Sequence, residues 1–282
     1  MPIFFPIVAA VLQAGSFVLD KFILLIPKVN FREYLGVSFP LIFIINALVF
    51  LILRPPLNAT LFTGIPLLAL VSSVLLSIAS NLIYYRALQS DRLTEIQSIS
   101  LLGGIPVVLG SGLLFADERN LGIIIPALIA LSAIAWSHWK NHHFVIAADT
   151  VPLVLWALTM PLVGAALSKI LLTYWHPVSL EMIRAAGLAL VVGPIYAGQS
   201  SHTPRRAVPW LIATNILTSL AWILFYIGYQ KLGIIYTLLL FSLQPLLAYA
   251  MAIIFLKEPL EKKRAIAFAI VLMCIGLAQI LK

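Results

Sequence analysis

Ten apolar runs dominate this sequence, at about residues 3–26, 35–53, 62–88, 94–115, 119–137, 151–174, 178–198, 207–231, 233–256 and 265–281. Each is close to the ~20 residues that an α-helix needs to cross a bilayer. In hydrocarbon every backbone N–H and C=O must be paired within the protein, so only helices and closed barrels span. A barrel would show short alternating segments in place of long unbroken runs. The expected class is therefore an all-α integral membrane protein with ten transmembrane helices. Composition agrees: 62% of residues are apolar and 10% charged, against about 25% charged in soluble domains. The chain left between the runs is too short for a soluble domain.

The sequence also repeats itself. Gly15 to Pro27 reads GSFVLDKFILLIP, and Gly164 to Pro177 reads GAALSKILLTYWHP. Each has a small residue, then a lysine inside an apolar helix, then a proline. Ile105 to Gly122 is echoed by Gln244 to Lys263, both with an early proline and a glutamate at the polar end, Glu118 and Glu258. The reading is two five-helix repeats, 1–137 and 151–282, joined by a polar linker at 138–150. Five spans is an odd number, so the second repeat enters the membrane inverted, with a pseudo-twofold axis in the membrane plane.

Charge and cysteine narrow the classes further. The net charge of +8 is assigned to basic loops that set orientation, not to nucleic acid. Leaving out Lys21, Lys169 and Arg184, which fall inside runs, the odd loops hold eleven Lys and Arg and the even loops and tails four. That excess favours odd loops in the cytoplasm and termini outside. The start, MPIFFPIVAA, lacks a basic n-region and reads as a retained span. Cys274 is the sole cysteine, so no intramolecular disulfide is expected. No phosphate-cradling glycine loop is present, which argues against ATP drive. His138, His142 and His143 lie in the linker without ligand-spaced partners and read as an interfacial loop. Neither a metal nor a cofactor is expected, and no catalytic set is found around Gly110-Ser111-Gly112.

The order of these motifs resembles the drug/metabolite transporter superfamily, in particular its EamA-like branch, over nearly the whole chain. The matching pieces are Lys21 and Lys169, the helix end Asn81 to Gln89, the helices ending at Glu118 and Glu258, and the fifth helices with Gly122 and Gly276. Tyr229-Gln230 departs from the Ala-Leu pair that the first half has in Tyr85-Arg86-Ala87-Leu88. The resemblance implies a ten-span transporter of amino acids, other metabolites or drugs, with the third, fourth, eighth and ninth helices around a central cavity. Many relatives have cytoplasmic termini, opposite to the charge count.

Candidate transport residues follow from the cost of polarity in lipid. A charge at a helix centre costs about 2.5–3.5 kcal/mol by insertion scales. Lys21 and Lys169 therefore either face a cavity or snorkel to the headgroups. Asp20 adjoins Lys21, but helix neighbours point apart and need not pair. Glu181 and Arg184 are three apart and can face each other. With Glu118 and Glu258 they read as gating or structural ion pairs. Asn81, Tyr84, Gln97, Trp222, Tyr226 and Gln244 either bond between helices or line a pocket. Together with the two lysines they form the candidate substrate-binding set.

The functional expectation is a non-enzymatic secondary transporter in the cell membrane, exporting a small organic metabolite such as an amino acid by alternating access. Membrane lipids surround it, a coupling proton is an open partner, and monomer and homodimer both remain. The alternative is a lipid-linked sugar or lipid translocase, marked by a lateral apolar groove. A membrane transferase is less favoured, because no intramembrane acid cluster is present.

Overall fold

The computed structural model describes residues 2–57, 59–137, 150–200, 203–256 and 262–281, with residues 60, 94, 95, 97, 98, 101, 197, 199, 200 and 264 described by backbone only. Glu258 and the linker histidines lie outside the described residues. The described chain is helical: α1 (Phe4–Leu24), α2 (Phe31–Leu53), α3 (Gly64–Ser90), α4 (Leu93–Leu102), α5 (Gly104–Leu114), α6 (Leu121–Ser137), α7 (Val151–Tyr174), α8 (Pro177–Ser200), α9 (Val208–Leu232), α10 (Ile234–Phe241), α11 (Leu243–Phe255) and α12 (Lys262–Leu281). Among the described residues seven stretches are long and apolar enough to cross a membrane, counting α10 with α11, and three shorter apolar helices lie at Gly104–Leu114, Leu121–Ser137 and Ala265–Leu281. The chain is a multi-pass integral membrane protein.

Helix boundaries follow local chemistry. α2 starts four residues before its apolar run because Asn30 and Glu33 form a capping box. Asn30 Oδ1 accepts from the N–H groups of Arg32 (2.9 Å) and Glu33 (3.1 Å), while Glu33 Oε2 accepts from Asn30 N–H at 2.8 Å. This satisfies helix-end donors that otherwise lack partners.

The fourth and ninth apolar runs are not single helices. Each is broken three residues before a proline: at Gly103 ahead of Pro106, and at Ser242 ahead of Pro245. Proline has no N–H for the carbonyl four residues back, and its ring crowds that carbonyl. Ser242 takes up the slack, its N–H reaching Leu238 O (2.9 Å) and its hydroxyl donating to Leu239 O (2.6 Å).

The bundle is apolar outside and partly polar inside. Ile52, Leu190 and Ile280 are at least three-quarters exposed, while Gln13, Ser16, Asp20, Asn46, Thr214, Asn215 and Gln244 are buried. That is the arrangement expected with lipid as the solvent. Helices of one half pack mainly on helices of the other: α1 on α9 and α11, α2 on α8, α3 on α7, α6 on α12, and α4 and α5 on α7. Close approach depends on small residues. A side chain at Gly36 of α2 would sit 3.0 Å from Tyr196 O of α8, and one at Gly103 would sit 2.7 Å from Ala157 O of α7. Side-chain bonds then tie the pairs. Asn46 of α2 donates to Ser219 of α9 (3.1 Å), and Trp156 of α7 donates to Ser80 of α3 (2.9 Å).

Candidate functional site

Three polar constellations lie along the interior. The first is near the middle of the bundle, where α3, α8 and α9 converge. Ser77 sits thirteen residues from either end of α3. Arg184 of α8 reaches it, Nη2 donating to Ser77 Oγ at 2.6 Å, while Nη1 donates to the Tyr226 hydroxyl of α9. The guanidinium lies 5.4 Å from the Tyr226 ring centroid, a cation–π distance. Glu181, one turn earlier on α8, is 3.8 Å from Nη1, a loose pairing for buried charges. Arg184 Nε makes no hydrogen bond. An aromatic wall adjoins: Trp222 packs on Tyr226 and Phe225 at ring distances of 5.7 and 5.4 Å. Asn81, one turn along α3, donates to Ser77 O at 2.8 Å. The arrangement offers a cation short of acceptors, an acid short of donors and flat apolar faces.

The second constellation ties α1, α2, α3 and α9 near one end. Asp20 is fully buried and accepts from the hydroxyls of Tyr34 (2.5 Å), Thr214 (2.5 Å) and Tyr85 (3.1 Å). Ser16 extends the cluster to Thr214 (3.0 Å) and Thr218 (2.5 Å). Lys21 points elsewhere, donating to Leu88 O (2.7 Å) and Asp91 O (2.6 Å) at the end of α3. Cations suit helix C-termini, where the last carbonyls lack partners. Tyr84 stacks on Phe17 and Tyr85 beside this group.

The third constellation lies toward the opposite end. Lys169 of α7 donates to Glu118 (2.7 Å) and Asp117 (2.6 Å). Glu118 also accepts the N–H groups of Ile234 (2.7 Å) and Ile235 (3.1 Å), capping α10. Gly233 makes this possible. Its φ of 83° suits glycine, and a Cβ there would stand 2.8 Å from Glu118 Oε1. Lys169 holds Asp117 below the ordinary carboxylate value of 3.8, chiefly through their hydrogen bond. Gln230 closes the end of α7, donating to Leu172 O (2.9 Å) and Trp175 O (3.2 Å). Tyr229-Gln230, where the second half departs from the first, thus supplies a helix cap.

The model of the EamA-like transporter family matches residues 151–281, from the start of α7 to the end of α12. The second half of this chain is thus similar to that family. A comparison with curated proteins finds no match. Among solved structures, a protein crystal structure of 16% identity superposes with a TM-score of 0.74, over 99% of this chain and 96% of that one. At that identity the likeness shows a shared fold alone. The EamA-like family is one of transporters.

The sequence-predicted residues are distributed unevenly. Arg184, Glu181, Trp222, Tyr226 and Asn81 come together, joined by Ser77, which sequence reasoning passed over. Lys21, Lys169 and Glu118 sit at helix ends. Gln244 is buried in α11, and Gln97 is described by backbone only. Asp20 was missed as a site. The available signal was its position, an acid inside an apolar run, which deserved the same weight as the lysine beside it.

An open cleft of about 450 Å³ lies between the end of α1 and the start of α9, walled by Phe22, Leu25, Ile26, Trp210 and Phe255, with Arg206 as its cation.

Proposed function

We infer that this protein is a secondary transporter of the cell membrane that exports an amino acid or similar zwitterionic metabolite by alternating access. The Arg184–Glu181 pair carries the reading. Glu181 is buried and Arg184 half-buried beside the middle of the bundle, yet they meet at only 3.8 Å and leave Arg184 Nε without a bond. Such a pair is a poor structural ion pair, because desolvation is offset only by tight, saturated geometry. A bound α-carboxylate would complete the guanidinium, and an α-ammonium would complete Glu181. Trp222 and Phe225 would cover the side chain, as in apolar pockets with a few oriented polar groups.

Two inverted five-helix repeats supply the motion in this reading. The helix pairing supports them, because it survives exchange of the halves. The first helix of each half packs on the third and on the broken fourth of the other, and the second and fifth pack on their own counterparts. The matched breaks ahead of Pro106 and Pro245 point the same way, and discontinuous helices are where such transporters build binding sites.

Reconstituted protein with a radiolabelled amino-acid panel tests the proposal. Arg184→Lys keeps the charge but loses the planar fork. It should raise half-saturation for amino acids about tenfold, a loss of about 1.4 kcal/mol, and leave decarboxylated amines unaffected. Equal half-saturation in wild type and Arg184→Lys would sink this assignment, as would the absence of any amino-acid movement. The apolar cleft with Arg206 favours a second reading, translocation of an anionic lipid. Wild-type scrambling of a fluorescent anionic lipid, abolished by Trp210→Glu, would replace the first reading with that one.

A further inference from the structure

Every bond that Asp20 makes is to a hydroxyl. Tyr34 comes from α2, Tyr85 from α3 and Thr214 from α9. Those tyrosines are the titratable groups that face it, and α4, α10 and α11, which also pack on α1, bring no charged described group against it. Among the described residues no cation lies within ion-pairing distance of Asp20. Lys21 is committed to the carbonyls of α3. An ionised carboxylate so enclosed is costly even when hydrogen-bonded, whereas the neutral acid costs far less.

The hydroxyl shell accommodates both states. With Asp20 ionised, Tyr34, Tyr85 and Thr214 all donate to it. With Oδ2 protonated, the acid donates to Tyr85 Oη. Tyr85 then turns its own proton toward Tyr34 Oη, 3.4 Å away, while Tyr34 and Thr214 still donate to Oδ1. One proton is gained and no other group changes charge. The fold does not demand an acid at this point of the repeated motif, because the residue before the equivalent lysine, Lys169, is Ser168.

We propose that Asp20 is the proton-binding site of this transporter, loaded and unloaded once in each cycle. The end of the bundle where α1 meets α9 closes over the neutral acid. It opens on the carboxylate, which water then solvates. The proton leaves to water on that side and is regained from it on closing. The proposal rests on the transporter reading for its role in the cycle, but the gate itself is testable without substrate.

The test places spin labels at Leu25→Cys and Val208→Cys, at the end of α1 and the start of α9, in a Cys274→Ser background. Distances are read in lipid nanodiscs across pH, with no amino acid present. The longer distance should gain population as pH rises. Asp20→Asn offers the same bonds as the neutral acid and should hold the short distance at every pH. Tyr85→Phe removes one donor to the carboxylate, which destabilises the charged form. It should move the midpoint upward by about one pH unit, and it carries the test alone if Asp20→Asn does not fold. In proteoliposomes Asp20→Asn, held shut at this end, should lose amino-acid exchange at every pH. A pH-independent distance in wild type overturns the proposal, as does an unchanged response in Asp20→Asn or Tyr85→Phe. A response to sodium at constant pH, in place of pH, overturns it as well. If wild type moves no amino acid but the gate still follows Asp20, the substrate reading fails and the proton site stands.

Discussion

Near one end of the bundle the carboxylate of Glu118 receives an ammonium and two backbone N–H groups; near the other, Asp20 receives hydroxyls alone. Both carboxylates are buried, and both tie helices from the two halves together. The chemistry differs in one respect, charge compensation. Lys169 and the N-terminus of α10 supply Glu118 with opposite charge and donors, so that contact is a fixed latch. Asp20 has dipoles but no compensating charge, so its bonds survive a change of protonation. One end of the bundle is thus held by a charge-compensated fastening and the other by hydroxyls on a carboxylate.

Removing the fixed fastening should cost most. Glu118→Ala leaves Lys169 with the exposed Asp117 in place of a buried carboxylate and leaves two α10 donors unpaired. Breaking a buried pair in this way costs about 3–5 kcal/mol, visible as a lower melting temperature in detergent. A melting point equal to wild type would break the comparison. Gly233→Ala should follow, because a left-handed φ costs a non-glycine residue about 1–3 kcal/mol and the new methyl group meets Glu118. In a Glu118→Ala background the same change should cost less, since that clash is gone; full additivity in the double-mutant cycle would argue against direct contact.

Asp20→Asn should change melting by less than about 1 kcal/mol, because each bond is replaced and no charge is stranded. A loss as large as that of Glu118→Ala would show that the Asp20 end also depends on charge. The smallest effect belongs to Asp117, whose side chain is 68% exposed and whose pairing with Lys169 is screened. Its pKa is depressed in the folded protein, so its contribution is complete above the ordinary value of 3.8 and is lost as pH falls through the lower folded value. Asp117→Asn should lower melting slightly at neutral pH and converge with wild type once pH falls below that acid range.

The helices were legible in the sequence because the bilayer leaves backbone groups no other partners. The start of α2 was legible in principle from Asn30 and Glu33. The breaks at Gly103 and Ser242 were missed, although Pro106 and Pro245 were noticed as repeated features. A proline removes one hydrogen bond, and whether the helix bends, breaks or continues depends on what receives the freed carbonyl. Within one helix the candidate pairs read correctly: Glu181 faces Arg184, and Trp222 lies against Tyr226, because helical spacing dictates both.

What the sequence by itself determined was everything set by local period and by the solvent: helical class, membrane residence, the repeated motifs, the i,i+3 and i,i+4 neighbours. The tertiary structure alone decided which polar groups became a site. Ser77, Arg184 and Tyr226 are 107 and 42 residues apart, and Asp20 and Thr214 are 194 apart. No spacing rule connects such residues, since their meeting depends on helix order, rotation and depth. Those are set by side-chain packing over whole interfaces, as at Gly36 against Tyr196. Lys21 and Lys169 show the same limit from the other side. Their cost in lipid was plain from sequence, but only the fold shows that helix ends, with their unpaired carbonyls and the carboxylates beside them, take up the charge.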